Sequence, residues 1–159
     1  MNIDYSKLLK EANQIAKKSV ENGNNPFGAI LVDDAGNILL ESGNLEKTLG
    51  VATAHAELKL CEMASKKYDK EFLKTTTLIT TAEPCAMCSG AIYWTGIGRV
   101  VYGISEVDLK ILTGEDLRNP TMSLDCRKVL SSGQHEIKVV GPIDDVREEI
   151  IKIHKEFWK

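Results

Sequence analysis

The chain has no long apolar run, no excess charge of one sign, no second paired-cysteine motif and only three histidines. No segment approaches the roughly 20 consecutive apolar residues that a membrane-spanning helix needs, so no membrane partner is expected. The opening MNIDYSKLLKEANQIAKK holds neither an apolar core segment nor a small-residue cleavage pattern. A secretory leader is therefore not expected, and the expected compartment is the cytoplasm. In that reducing setting Cys61, Cys85, Cys88 and Cys126 are not expected to form a disulfide framework. The net charge of −3 argues against a broad nucleic-acid surface. With no repeat, linker or low-complexity stretch, residues 1–159 read as one domain. A dinucleotide loop is also excluded: "TGIGRV" has Gly96 and Gly98, but Val101 stands where a third glycine belongs.

What is present patterns as alternating helices and strands. Leu8, Leu9, Ala12, Ile15, Ala16 and Val20 predict an amphipathic helix over 4–21, ended by "ENGNNP". "FGAILV" and "ILLESGN", joined by "DDAGN", predict a hairpin whose first strand is covered on both faces. Thr53 is placed to cap a helix running to about Lys67, with Leu58, Cys61 and Ala64 inward. "TTTLITT", "RVVYGI" and "EIKVV" read as strands, and "MSLDCRKVLS" as a helix. Residues 84–95 read as a helix with Pro84 in its first position, and 105–120 as loop and short helix. Val146, Ile150, Ile153 and Phe157 mark a C-terminal amphipathic helix. Helices covering a mixed sheet make this an α/β sandwich. Cys61 and Cys126 read as small buried residues.

The stretch "EPCAMC" sets two thiols three residues apart. By itself such a pair fits a redox couple, half of a zinc ribbon, or chance. Three-residue spacing puts both sulfurs on one helical face, and a helix start favours thiolates. A zinc ion wants at least one more protein ligand. His135 and His154 lie in ordinary polar surroundings, whereas His55 stands in "TAHAEL" at a helix start, two residues before Glu57. The candidate set is His55, Cys85 and Cys88, holding one Zn2+ per chain. Three protein ligands leave a fourth position for water, which marks a catalytic zinc. The metal would acidify that water, and Glu57, a carboxylate beside the metal and not a ligand, is placed to carry its proton.

His55-Ala56-Glu57 followed by Pro84-Cys85-Ala86-Met87-Cys88 is the spacing of the zinc nucleobase deaminases. From about residue 5 to 104 the chain resembles the cytidine deaminase superfamily. Within it, the chain is similar to the branch holding guanine deaminases, tRNA adenosine deaminases and fungal cytosine deaminase. That resemblance implies a three-layer α/β/α sandwich on a five-stranded mixed sheet, with the metal-binding segments at the starts of adjacent helices. It implies hydrolytic deamination with release of ammonia, Glu57 shuttling the proton, and a homodimer. It also implies that peptide groups near Ala56 and Cys85 hold substrate.

On the same basis the favoured substrate is a purine base or nucleoside, guanine first. "NPFGAILV" resembles the guanine deaminase opening strand, which puts Phe27 in the pocket. "AIYW" resembles that branch too, which makes Trp94 the residue that stacks on the base. "GED" carries an acidic pair, Glu115 and Asp116, to bind an amino group or relay protons. Asn44 matches an asparagine that contacts substrate in both the guanine and tRNA enzymes. Phe157 and Trp158 resemble a tail that covers the site from a partner subunit. The rival is wobble adenosine in tRNA, since "IGRVVYG" resembles that branch as closely. The family's Asp-Pro before Thr-Ala-His is replaced by Val51-Ala52, and residues 117–133 match neither branch. A cytosine-type deaminase and an inactive zinc-binding module complete the alternatives.

Overall fold

The Asp4 side chain accepts a hydrogen bond from the Lys7 amide and starts helix α1 (Tyr5–Glu21) in a computed structural model that describes residues 2–158. Strands β1 (Gly28–Val32) and β2 (Ile38–Gly43) follow, with a short helix α2 (Glu46–Leu49) after them. Next come α3 (Ala56–Lys67), α4 (Lys70–Leu73), β3 (Thr77–Ala82) and α5 (Ala86–Thr95). The remainder is β4 (Arg99–Ile104), α6 (Glu106–Thr113), α7 (Cys126–Leu130), β5 (Lys138–Val140) and α8 (Arg147–Phe157).

The strands form one five-stranded sheet in the order β2-β1-β3-β4-β5. β1 runs antiparallel to β2 and β3, whereas β3, β4 and β5 are parallel. The two-residue pleat then divides the core. Ala29, Leu31, Leu78 and Val100 face one side with Leu60, Ile92 and Leu130 from α3, α5 and α7. Ile30, Val32, Ile79 and Val101 face the other with Leu8 and Leu9 of α1 and Ile150 of α8. Both faces are covered, so the expected three-layer α/β/α sandwich is what forms. Gly28 lets α1 sit directly on the sheet, because a Cβ there would meet the Ala12 carbonyl oxygen. Cys61 and Cys126 are buried, as expected.

Three local expectations need correction. Thr53 is exposed, and the residue capping α3 is His55. Pro84 lies outside α5, whose cap is Cys85. In both helices the ligand-bearing residue takes the cap position, which shifts each start two residues along. The inward stripe of the C-terminal helix is Val146, Ile150 and His154 with Trp158 beyond its end, while Ile153 and Phe157 stay half-buried. Those four follow a spacing of four, so His154 is a core residue, 1% exposed, and its surroundings are aromatic.

Antiparallel pairing sets the start of β1 and the end of β2 beside the carboxyl end of β3, and β4 ends there as well. Ligands of open α/β sheets bind in the crevice outside the carboxyl ends of the parallel strands. Phe27, Asn44, Glu83 and Glu106 all fall within two residues of those strand ends.

Candidate active site

His55 and Cys85 are the cap residues of α3 and α5, and neither side chain is spent on a capping hydrogen bond. Both have the extended backbone usual at a helix cap. Cys88 lies in the first turn of α5, buried below Cys85. The His55 Nδ1 is 3.7 Å from each sulfur. Tetrahedral zinc with ordinary Zn–S and Zn–N bonds separates such atoms by about 3.6 Å. The residues therefore fit the ion. Two thiolates and a neutral imidazole also match its charge.

The two thiols differ in acidity. Hydrogen bonding from Cys88 pulls Cys85 down to about 4 against the opposing effect of burial, with His55 assisting. Donation to Cys85 and burial hold the Cys88 thiol well above its ordinary value, so its proton leaves as a cation takes its place. The hydrogen bond with Cys85 raises His55 to about 9, helped by Glu57 and Glu46.

Glu57, in the first turn of α3, is 6% exposed. Burial is the main cause that raises it to about 7, with the Cys85 charge adding to it. A carboxyl poised there exchanges protons easily near neutrality. It shares with His55 and Cys85 a cavity of about 400 Å³, which also reaches Phe27.

Some predicted site residues are brought to this cavity and others are not. Phe27, His55, Glu57 and Cys85 line it. Asn44 is buried and engaged with Glu46: its Nδ2 donates to Glu46 Oε1 at 2.8 Å, and its Oδ1 accepts from the Glu46 amide at 3.0 Å. Ala56 is buried at the start of α3. Trp94 is 75% exposed and lies outside the cavity lining, edge-on to Tyr93. It is six residues beyond Cys88, about 120° away around the helix. Glu115 is exposed, and Asp116 is held by both its oxygens to Arg118, at 3.0 and 2.7 Å. Neither acid of the pair lines the cavity.

The residues that sequence reasoning missed are carboxylates and one loop. Glu46, Glu83 and Glu106 line the cavity, as does the segment 117–122. The Glu46 Oε1 is 3.4 Å from His55 Nε2. Glu83 accepts the Glu106 amide at 2.9 Å and the Cys126 amide at 2.7 Å, so it ties the starts of α6 and α7 to the metal loop. Its place directly before Pro84-Cys85 was the one available signal. Burial raises Glu106 to about 8, and Cys85, Glu83 and Glu57 add to this. Arg118 lies over the Phe157 and Trp158 rings at 4.5 and 5.1 Å and donates to the Phe157 carbonyl. Trp158 in turn packs near Phe27, with ring centres 6.4 Å apart. The C-terminal aromatics thus reach the cavity wall from within the same chain.

The family model described as "Cytidine and deoxycytidylate deaminase zinc-binding region" matches residues 2–104. The Schizosaccharomyces pombe protein named "Probable cytosine deaminase" is 38% identical over 150 residues, covering 94% of this chain and 90% of its own length. Guanine deaminase of Bacillus subtilis is 37% identical over 107 residues, covering 67% of this chain and 68% of its own. The solved guanine deaminase of Nitrosomonas europaea superposes with a TM-score of 0.79 at 20% identity, over 98% of this chain and 85% of that one, which supports the fold. A match spanning most of the chain, on a zinc-shaped trio with a buried glutamate beside it, makes this protein a member of the cytidine and deoxycytidylate deaminase family, a zinc-dependent hydrolase of C–N bonds.

Proposed function

We propose that the protein, acting as one unit over residues 1–159 in the cytoplasm, deaminates a free purine base, with guanine the favoured substrate. The observation that carries this reading is the cavity itself. Four acidic side chains, Glu46, Glu57, Glu83 and Glu106, line it, of which burial keeps Glu57 and Glu106 partly protonated near neutrality. Its one arginine, Arg118, is already paired with Asp116. Such a wall repels phosphate and accepts neutral, N–H-rich heterocycles, which favours a free base over RNA.

Zinc held by His55, Cys85 and Cys88 supplies an acidified water for hydrolysis. The chain's own groups do the rest. Glu57 takes the proton of the attacking water on a carboxylate oxygen, passes it to a ring nitrogen, and helps protonate the departing ammonia. Phe27, backed by Trp158 and His154, presents an apolar edge to the flat base and keeps bulk water out. Asn44 acts through Glu46, and Asp116 through Arg118. The reading includes a homodimer, in which exposed apolar side chains such as Trp94 would be covered.

The test is ammonia release across guanine, guanosine, adenine, cytosine and an anticodon stem-loop with wobble adenosine. Guanine is expected to give the highest kcat/KM. Turnover of the RNA alone would overturn the reading. A second reading, cytosine deamination, draws on the near full-length similarity to the fission yeast protein; the same screen decides between them.

A further inference from the structure

The helices α6 and α7 begin on the same side chain. Glu83 is 5% exposed and stands two residues before Cys85. Its Oε1 accepts the Glu106 amide at 2.9 Å, and its Oε2 accepts the Cys126 amide at 2.7 Å. Each of these amides is the first of its helix, and a first-turn amide has no partner within its own helix. One carboxyl group therefore caps two helices, although it belongs to neither. The Glu83 amide in turn donates to the Ile104 carbonyl at 2.8 Å, which holds the residue at the end of β4.

The stretch between those helices, residues 114–125, carries the segment 117–122 that lines the cavity. No helix or strand interrupts it, and a stretch of that length has many arrangements unless its ends are fixed. It is also tied to α6: Lys110 Nζ donates to the Ser123 hydroxyl at 2.7 Å, and the Thr113 and Thr121 hydroxyls lie 3.0 Å apart. The helix α6 and the segment thus form one wall, and α7 holds its far end. Pro84, with its fixed φ, is the only residue between Glu83 and Cys85. The wall is consequently set relative to a metal ligand through one rigid residue.

We propose that Glu83 is a positioning residue: by holding the starts of α6 and α7, it sets the distance between the zinc ligands and the cavity wall formed by α6 and segment 117–122. The proposal rests on the deaminase reading above for its substrate, and on the hydrogen bonds alone for its geometry. When a tie is lost, the wall samples wider arrangements, and only a fraction of the molecules presents the binding-competent cavity. KM then rises by the inverse of that fraction, while the chemical step in the molecules that do bind is unchanged.

The test compares the zinc-loaded wild type with Glu83→Gln and Cys126→Pro. Glutamine keeps one acceptor and turns an amino group towards the other amide, so one tie is broken by a side chain of the same size. Proline at 126 removes the amide itself and leaves Glu83 in place. A first helical position accepts proline, and Asp125, at φ −63° and ψ 129°, already has the backbone that precedes one. Zinc content, steady-state kinetics with guanine and with cytosine, and amide hydrogen exchange by mass spectrometry are read for each protein. Both variants are expected to keep one zinc and to raise KM about 10-fold with kcat within about threefold of wild type. Exchange over 106–125 should quicken while β3 and β4 stay protected. KM unchanged within about twofold in both variants would overturn the proposal. So would a fall in kcat alone, or loss of zinc from Glu83→Gln, which would place its role in the metal loop. If Glu83→Gln does not fold, Cys126→Pro decides by the same readings. If the zinc-loaded wild type releases ammonia from neither base, the substrate reading falls and exchange decides: an unchanged rate over 106–125 overturns the proposal whatever the substrate.

Discussion

Glu46 Oε1 lies 3.4 Å from the Nε2 of His55, while the Nδ1 of the same ring faces both cysteines at 3.7 Å. The two ring nitrogens are thus divided between a carboxylate and a thiol pair. A carboxylate on the outer nitrogen holds the proton there, leaves the lone pair on the inner one, and makes the ligand more basic. Asn44 keeps Glu46 in place through two hydrogen bonds. Glu46→Gln is expected to weaken zinc binding about 10- to 100-fold, and Asn44→Ala to act in the same direction. Competition with a chromophoric chelator reads this directly. Unchanged zinc affinity in both variants would remove the relay from the account.

In the proposed reaction Glu57 serves the chemistry rather than the fold. Glu57→Gln keeps the shape and removes the proton-carrying group. One zinc per chain should remain by elemental analysis, with turnover lower by about 10²- to 10⁴-fold. Full activity in that variant would take Glu57 out of the mechanism.

The metal ligands were legible because their signal is local. A three-residue cysteine spacing and a histidine with a nearby glutamate at helix starts fix geometry within one or two turns. The sheet was legible because β-branched runs bounded by turns mark strands wherever they occur. Glu46, Glu83 and Glu106 were not legible, since a lone glutamate reads as a solvated surface group. Glu83 and Glu106 are buried, and Glu46 half-buried, because strand order brings distant chain segments to one end of the sheet. Trp94 failed for the opposite reason: a motif placed it near the site, but the turn of α5 sends it to solvent. The burial of His154 was recoverable, because it continues the four-residue stripe from Val146 and Ile150 to Trp158.

That buried histidine makes stability depend on pH. His154 Nδ1 accepts the Trp158 indole N–H at 2.9 Å, Phe27 packs edge-on to its ring, and its Nε2 is buried without a partner among the described residues. Burial alone lowers its pKa from 6.5 to about 4. The unfolded chain therefore binds a proton near pH 6.5 that the folded chain refuses until about pH 4. Stability from this group is intact above 6.5 and falls as pH drops towards 4, by roughly 3 kcal/mol at most. Urea unfolding of the wild type and His154→Gln from pH 7.5 to 4.5 isolates the effect, because other titrations cancel between them. A constant difference across that range would contradict it.

Arg118 connects the cavity wall to the C-terminus. Its guanidinium forks onto Asp116, stacks on Phe157 and Trp158, and donates to the Phe157 carbonyl. The exposed Arg118–Asp116 pair adds little stability by itself. Its role is to hold segment 117–122 and the C-terminal aromatics in one arrangement around the cavity, behind Phe27. Arg118→Ala should therefore leave the thermal midpoint and zinc content near wild type while raising KM several-fold. Trp158→Ala also removes packing on Phe27 and His154, so it should raise KM further and lower the midpoint. Steady-state kinetics with guanine, beside thermal unfolding, separates the two effects. If KM stays at the wild-type value in both variants, the C-terminal aromatics are only core residues and the wall is held by other contacts.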